Sequence, residues 1–204
     1  MDNWQIKQRN VLDKLIKPEW HYADVGACRG EILSYFYDKL AFGHGFEPDL
    51  TNYNFLSKEF IVNQKDFFPK VKLNNCAVGK TDGSVKFYTA ESHVGNILGH
   101  DMSYKPYQNY IEVPCVKLDT YFADVKVDII KVDIEGAEWD LFEGAQNLLK
   151  TRDIVWQVEF HLDEDWHRRE ILFENGYNIY DLDFKKLTKD SPRPYQGIVV
   201  KGDI

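Results

Sequence analysis

Cysteine is scarce: there are three, Cys28, Cys76 and Cys115, and none has a C-x-x-C partner. An odd, scattered set makes neither a disulfide framework nor a zinc site, and it fits a reducing compartment. Long apolar runs are missing too, and no stretch approaches the length that crosses a bilayer. Residues 1–15 carry charges throughout, unlike a secretory leader. A cytoplasmic protein without membrane insertion is the expectation. An excess of positive charge is also absent. The formal net charge of −8 argues against a general binder of nucleic-acid backbones and leaves local patches such as Lys185, Lys186 and Lys189. No repeat, low-complexity tract or linker interrupts the 204 residues, so a single domain over 1–204 is expected, large enough for a substantial core. Hydrophobic residues at 44% and aromatics at 15% argue for a folded chain over a disordered one.

What is present is organised around residues 127–142. Val127, Ile129, Ile130 and Val132 form a β-branched run too dense for a half-exposed strand, so a buried central strand of a parallel sheet is predicted. Asp133, Glu135 and Glu138 follow, wrapped around Gly136 and Ala137. Then Trp139, Leu141, Phe142, Ala145, Leu148 and Leu149 recur at helical spacing. The acids therefore fall at the carboxyl end of a central strand, where open α/β sheets bind ligands. Three carboxylates within six residues repel unless a cation, a proton or hydrogen-bond donors offset them. The plain alternative is an acidic first helical turn, favoured by the helix dipole.

Upstream, Trp4, Ile6, Val11, Leu12, Leu15 and Ile16 are spaced as one face of an N-terminal helix over about 3–16, ending before Pro18. Residues 20–25 read as a first strand, with Asp24, Gly26, Ala27, Cys28 and Gly30 in the turn out of it and a helix over 31–40. Glycine there lets a ligand approach the backbone, and Asp24 suits a ligand with a cationic end. The spacing is not G-x-G-x-x-G, since Cys28 stands at the second position, which argues against a pyrophosphate grip. A second strand over 41–46 ends at Glu47. That acid lies twenty-three residues after Asp24, close to the separation at which an acid takes ribose hydroxyls.

Residues 71–78 read as a third strand with a polar break, and Asp82-Gly83 as a hairpin turn into a strand over 84–89. A substrate-side loop over about 90–110 carries His93, Asn96, His100, Tyr104, Tyr107 and Tyr110; its hydroxyls and ring faces suit a polyol. Residues 111–116 are a strand candidate, and 118–122 a short helical turn. The strand over 154–161 ends in Glu159 and His161, two apart and so on one face, predicted to lie beside Asp133. A histidine with two carboxylates serves either as a general base or as a metal-ligand set. A helix over 163–174 and strands over 176–180 and 197–200 complete the chain.

Five blocks now stand in order: Asp24 to Gly30, Gly45 to Pro48, Ala77 to Gly83, Leu118 to Tyr121 and Ile130 to Glu138. In order and spacing they resemble the FkbM family of S-adenosylmethionine-dependent methyltransferases, the Lys131-x-Asp133-x-Glu135-Gly136-Ala137-Glu138 block most specifically. The resemblance implies a class I methyltransferase fold, a three-layer α/β sandwich. Its sheet has seven strands in the order 3-2-1-4-5-7-6, the last antiparallel. It also implies that the turn with Asp24, Gly26, Ala27 and Gly30 holds the methionine end of the cofactor. By the same resemblance Glu47 holds the ribose, Cys76 and Ala77 lie near the adenine, and Asp133 lies beside the methionyl part and the substrate. Family turns often carry Asn-x-Gly where this chain has Cys28-Arg29-Gly30, and Arg29 is a candidate to pair with a nearby acid.

FkbM-like enzymes are mainly O-methyltransferases, often acting on sugar or glycan hydroxyls; glycan methylation often sits beside glycosyltransfer, so a place in a larger glycan-modifying polypeptide is a further expectation. An aliphatic hydroxyl must lose its proton as the new bond forms. Asp133, Glu159 and His161 are the expected catalytic group, with His161 as base or all three holding Mg²⁺ or Mn²⁺, and Glu135 and Glu138 in support. Two rivals are a nicotinamide-dependent oxidoreductase and a non-catalytic nucleoside- or glycan-binding module. The glycine spacing and the lack of a Tyr-x-x-x-Lys pair near the fourth strand argue against the first, and the intact acids at both strand ends against the second.

Overall fold

The computed structural model describes residues 3–63, 70–89, 97–98 and 110–204. In chain order the strands are β1 (His21–Val25), β2 (Phe42–Phe46), β3 (Val71–Asn74), β4 (Ala77–Val78), β5 (Gly83–Tyr88) and β6 (Ile97–Leu98). They continue with β7 (Tyr110–Val116), β8 (Ile129–Val132), β9 (Val155–Glu159), β10 (Tyr177–Asp181) and β11 (Gln196–Lys201). The helices are α1 (Asn3–Leu15), α2 (Glu31–Phe36), α3 (Leu50–Asn63), α4 (Leu118–Tyr121), α5 (Glu138–Glu143), α6 (Gln146–Thr151) and α7 (Glu170–Glu174). No helix among the described residues is long and apolar enough to cross a membrane.

Seven strands form the main sheet in the order β10-β11-β9-β8-β1-β2-β3. Strand β11 runs antiparallel to both neighbours, and the remaining pairs are parallel. Counted along this sheet alone, that is the 3-2-1-4-5-7-6 arrangement of a class I methyltransferase. Every residue of β8 is buried, Lys131 included, as a central strand that is otherwise apolar requires. One face packs Ile130, Val132, Trp156 and Val158 against Trp139 and Phe142 of α5. The other lies under α1 and α2, with Leu12, Tyr22, Leu33 and Ile129 in one cluster.

Several local readings change. Ile6 is 44% exposed, because it lies five residues before Val11 and so about 140° around the helix from it. The strand predicted over 71–78 splits at Asn75, whose amide donates to the carbonyls of Glu47 and Pro48 at 2.8 and 3.1 Å. Its second half, β4, joins a separate sheet in the order β4-β7-β5-β6. Asp82-Gly83 therefore makes no hairpin between β4 and β5, because β7 lies between them. Asp82 instead accepts the Lys117 N–H at 2.9 Å and the Thr120 hydroxyl at 2.8 Å.

The helix after the acidic turn breaks at Gly144, where a Cβ would stand 2.1 Å from the Gly79 carbonyl oxygen. Asp119 then starts α6 by accepting the Asn147 and Leu148 N–H groups, each at 2.8 Å. Residues 166–169 form a 3-10 turn, so the helix predicted over 163–174 narrows to α7. Apart from Ile97–Leu98 and Tyr110, the predicted loop over 90–110 lies outside the described residues.

Two glycines of similar φ separate backbone strain from close approach. At Gly26 (φ +78°) a Cβ would stand 1.8 Å from the Asp133 carbonyl oxygen; at Gly176 (φ +80°) it would meet nothing within 4 Å. Gly176→Ala should lose about 1 kcal/mol for its left-handed backbone, and Gly26→Ala on the order of 3 kcal/mol or more because β1 and β8 must part. Denaturant unfolding of both variants measures the difference, and equal losses would contradict the contact.

Candidate active site

The site begins with the register of three parallel strands. Asp24, Lys131 and Gln157 are aligned across β1, β8 and β9. Two residues further along the same face come Gly26, Asp133 and Glu159, at and just past the strand ends. Lys131 is 4% exposed, and an ammonium in that position needs partners. Its Nζ lies 3.1 Å from Asp24, 3.5 Å from Asp133 and 3.1 Å from the Gly26 carbonyl oxygen it donates to. Burial works against the Lys131 charge, but Asp24 and Asp133 outweigh it and hold the ammonium protonated. Burial also raises the Asp24 and Asp133 carboxyls, with Lys131 opposing; the negative charge of Glu159 adds to the rise at Asp133.

Past the strands the chain makes a tight acidic turn, with Glu135 at φ +54° and Gly136 at +106°. That turn brings Glu138 under His161. Glu138 Oε1 is 2.7 Å from His161 Nδ1 and accepts the Gly136 N–H at 2.9 Å. A carboxylate that accepts at Nδ1 places the proton there and turns Nε2 toward the other acids. His161 Nε2 lies 3.2 Å from Glu159, 3.7 Å from Glu135 and 3.8 Å from Asp133. Although burial opposes it, bonding to Glu138 and Glu159 pushes the imidazole up to about 10. Burial would raise Glu159, but His161, Tyr195 and Gln196 hold it below its ordinary value. The Gln196 amide donates to Glu159 at 2.8 Å. Ligand atoms of Asp133, Glu159 and His161 all lie within 4.8 Å of one another.

Beside this cluster lies a cavity of about 400 Å³. Gly26, Ala27, Glu47, Cys76, Ala77, Asp133, Glu135 and Glu159 line it. Gly26 and Ala27 reach it because their N–H groups donate to the Phe46 carbonyl at 3.1 and 3.0 Å. Asp24 and Gly30 are not on its wall: Asp24 is buried against Lys131, and Gly30 precedes α2. His161 meets the cavity through Glu159 and Asp133. Arg29 makes no ion pair among the described residues; its guanidinium lies over the Phe55 ring, 5.3 Å from the centroid.

Glu47 is 5% exposed and held by two donors. Its carboxylate accepts the N–H of Cys28 at 2.8 Å and of Asp49 at 2.7 Å, and Cys28 takes φ +48° in the turn that aims its donor there. Each oxygen keeps a lone pair for a further hydroxyl. Burial pushes Glu47 up to about 7 despite these bonds.

Lys131, Gln196, Tyr195 and Gln8 were not singled out for the site by sequence reasoning. Only Lys131 left a signal, as a charge inside an otherwise apolar strand. Gln196 and Tyr195 arrive through the antiparallel register of β11 on β9, where Gln196 faces Glu159.

The raised Glu47 carboxyl fixes the sign of a pH dependence. Between its ordinary 4.5 and about 7 the unfolded chain gives up this proton before the fold does, so the ligand-free protein loses stability as pH rises through that window. Glu47→Gln should flatten the decline, with a difference on the order of 2 kcal/mol between pH 5 and pH 8 in unfolding experiments. Parallel profiles for the two proteins would contradict the burial argument.

Comparison with known proteins bears on the family and the fold. The model of the methyltransferase FkbM domain matches residues 24–179. The crystal structure of methyltransferase FkbM from Methylobacillus flagellatus KT is similar over 90% of this chain, with a TM-score of 0.62 and 18% identity. This chain spans 44% of that protein's length. A putative rRNA methylase from Clostridium thermocellum is similar over 100% of this chain and 99% of its own, with a TM-score of 0.55 and 9% identity. Magnesium protoporphyrin IX methyltransferase from Synechocystis PCC 6803, solved with bound S-adenosylmethionine, is similar over 98% of this chain and 82% of its own, with a TM-score of 0.51 and 12% identity. At such identities the likeness shows the class I methyltransferase fold and no acceptor. No curated protein matches the chain. The chain belongs to the FkbM family of S-adenosylmethionine-dependent methyltransferases.

Proposed function

We propose that the chain transfers a methyl group from S-adenosylmethionine to a hydroxyl of a sugar or glycan, and that Asp133, Glu159 and His161 hold a divalent cation, Mg²⁺ or Mn²⁺, beside it. The observation that carries this reading is the acid cluster at the cavity edge, because an alcohol, unlike an amine, needs help to give up its proton. Tyr195 supports a polyol acceptor. It is 53% exposed on the cavity wall, bonds Glu159 and sets its ring 6.2 Å from that of His161, an aromatic face next to hydroxyl acceptors.

The donor set fits a hard divalent cation. Two carboxylate oxygens and one imidazole nitrogen converge, and Glu138 fixes the other ring nitrogen as a ligating histidine requires; a bound ion would displace the proton that the surrounding acids hold on Nε2. When bound, such an ion would lower the pKa of a coordinated hydroxyl, and the cofactor's sulfonium would supply an activated methyl. The chain's own residues do the rest. Glu47 takes the ribose hydroxyls, and the turn with Gly26 and Ala27, together with Cys76 and Ala77, shapes the remainder of the cofactor wall. Asp133 faces the cavity within the ligand set, and Glu135, on the wall outside that set, would accept the hydroxyl proton as the methyl passed to the oxygen and left a neutral thioether. Asp24 acts from beneath by holding Lys131.

The test is transfer of labelled methyl to a panel of glycosides, with and without chelator. Transfer should require Mg²⁺ or Mn²⁺, and its product should be an ether on a sugar hydroxyl. Glu159→Gln and His161→Ala should each lower turnover about 10²-fold while cofactor affinity changes less than about threefold. Glu47→Ala should weaken cofactor binding first. Methylation of a nitrogen or carbon acceptor alone would overturn the hydroxyl reading, and full activity in chelator would overturn the cation.

A further inference from the structure

The N-terminal helix α1 packs an apolar stripe on the sheet, with Val11 against Tyr180 and Ile198 and Leu12 against Tyr22 and Leu33. One helical turn earlier that stripe carries Gln8, 2% exposed and on the cavity wall. A buried amide is costly unless its polar atoms are used. One Gln8 N–H is used: Nε2 donates to Gln157 Oε1 at 2.8 Å. Gln157 in turn sits beside Lys131 across β8 and β9. The amide therefore offers the cavity its Oε1 acceptor and a second N–H.

Such a pair suits a zwitterionic amino acid, whose ammonium needs an acceptor and whose carboxylate needs a donor. Asp24 is the acid that the turn's sequence offers for the ammonium, but it is fully buried, 3.1 Å from Lys131, and does not line the cavity. The sheet order sets the direction of the cavity. Glu47 follows β2, the glycine turn follows β1, and Gln8 lies over β9 beyond β8. A cofactor whose ribose sits on Glu47 points its other end toward Gln8.

We propose that Gln8 binds the amino-acid end of the cofactor, so that α1 is part of the cofactor site as well as a cover for the sheet. This rests on the cofactor placement given above. Two ligands separate the terms: S-adenosylhomocysteine carries the amino-acid end, and 5′-methylthioadenosine lacks it. Calorimetric titration of the full chain with both should show Gln8→Met losing about tenfold or more for S-adenosylhomocysteine while its methylthioadenosine affinity stays within about twofold. Because methylthioadenosine reports a folded adenosine pocket, the ratio is immune to a general loss of structure. Equal weakening for both ligands, or no change for either, would overturn the role of Gln8. Wild-type protein that binds neither ligand would overturn the cofactor placement itself.

Discussion

A single buried ammonium holds the site together. Lys131 sits inside the most buried strand of the sheet and touches an acid of β1, an acid after its own strand and the first carbonyl of the glycine turn. Removing one member of such a group leaves an uncompensated buried charge, a loss of about 3–5 kcal/mol. Its position matters more than its net stabilisation. It fixes the exits of β1 and β8 relative to each other, and those exits are the floor of the cavity. The contact between Gly26 and the Asp133 carbonyl is the same constraint expressed in backbone, since neither strand end can shift without opening it.

Electrostatics divides the polar groups into two sets. Asp24 and Lys131 neutralise each other beneath the floor. Above them Asp133, which Lys131 also reaches at 3.5 Å, joins Glu135, Glu138 and Glu159 around one imidazole, an excess of negative charge that a chain of net charge −8 does nothing to offset. Two of these acids already have donors: Glu138 from Gly136 and Glu159 from Gln196. Asp133 and Glu135 lie on the cavity wall beside them. An arrangement that concentrates carboxylates at an open edge while fixing a histidine by its far nitrogen is suited to hold a cation and to accept a proton.

Much of this was legible in the sequence, and the reasons are physical. The β-branched run before Asp133 encodes a buried strand, and the acid after it marks the carboxyl edge; likewise β1 with Gly26 and β2 with Glu47. Two-residue spacing was enough to place Glu159 and His161 together. Contacts set by tertiary register were not legible. No local pattern tells that Asn75 splits a strand, that β7 separates β4 from β5, or that Gly144 meets the Gly79 backbone. The partner of Asp24 lies 107 residues away on β8, so an acid that reads as a ligand group turns out to be internally paired. Gln8 escaped notice because a glutamine in an apolar stripe looks like a gap in the stripe.

The claim on which the rest stands is that this cavity is built for S-adenosylmethionine. Calorimetric titration of the unmodified chain with S-adenosylmethionine tests it most directly. One molecule per chain should bind saturably, and replacing Glu47 by alanine should weaken that binding. Absence of binding, or binding indifferent to Glu47, would contradict it.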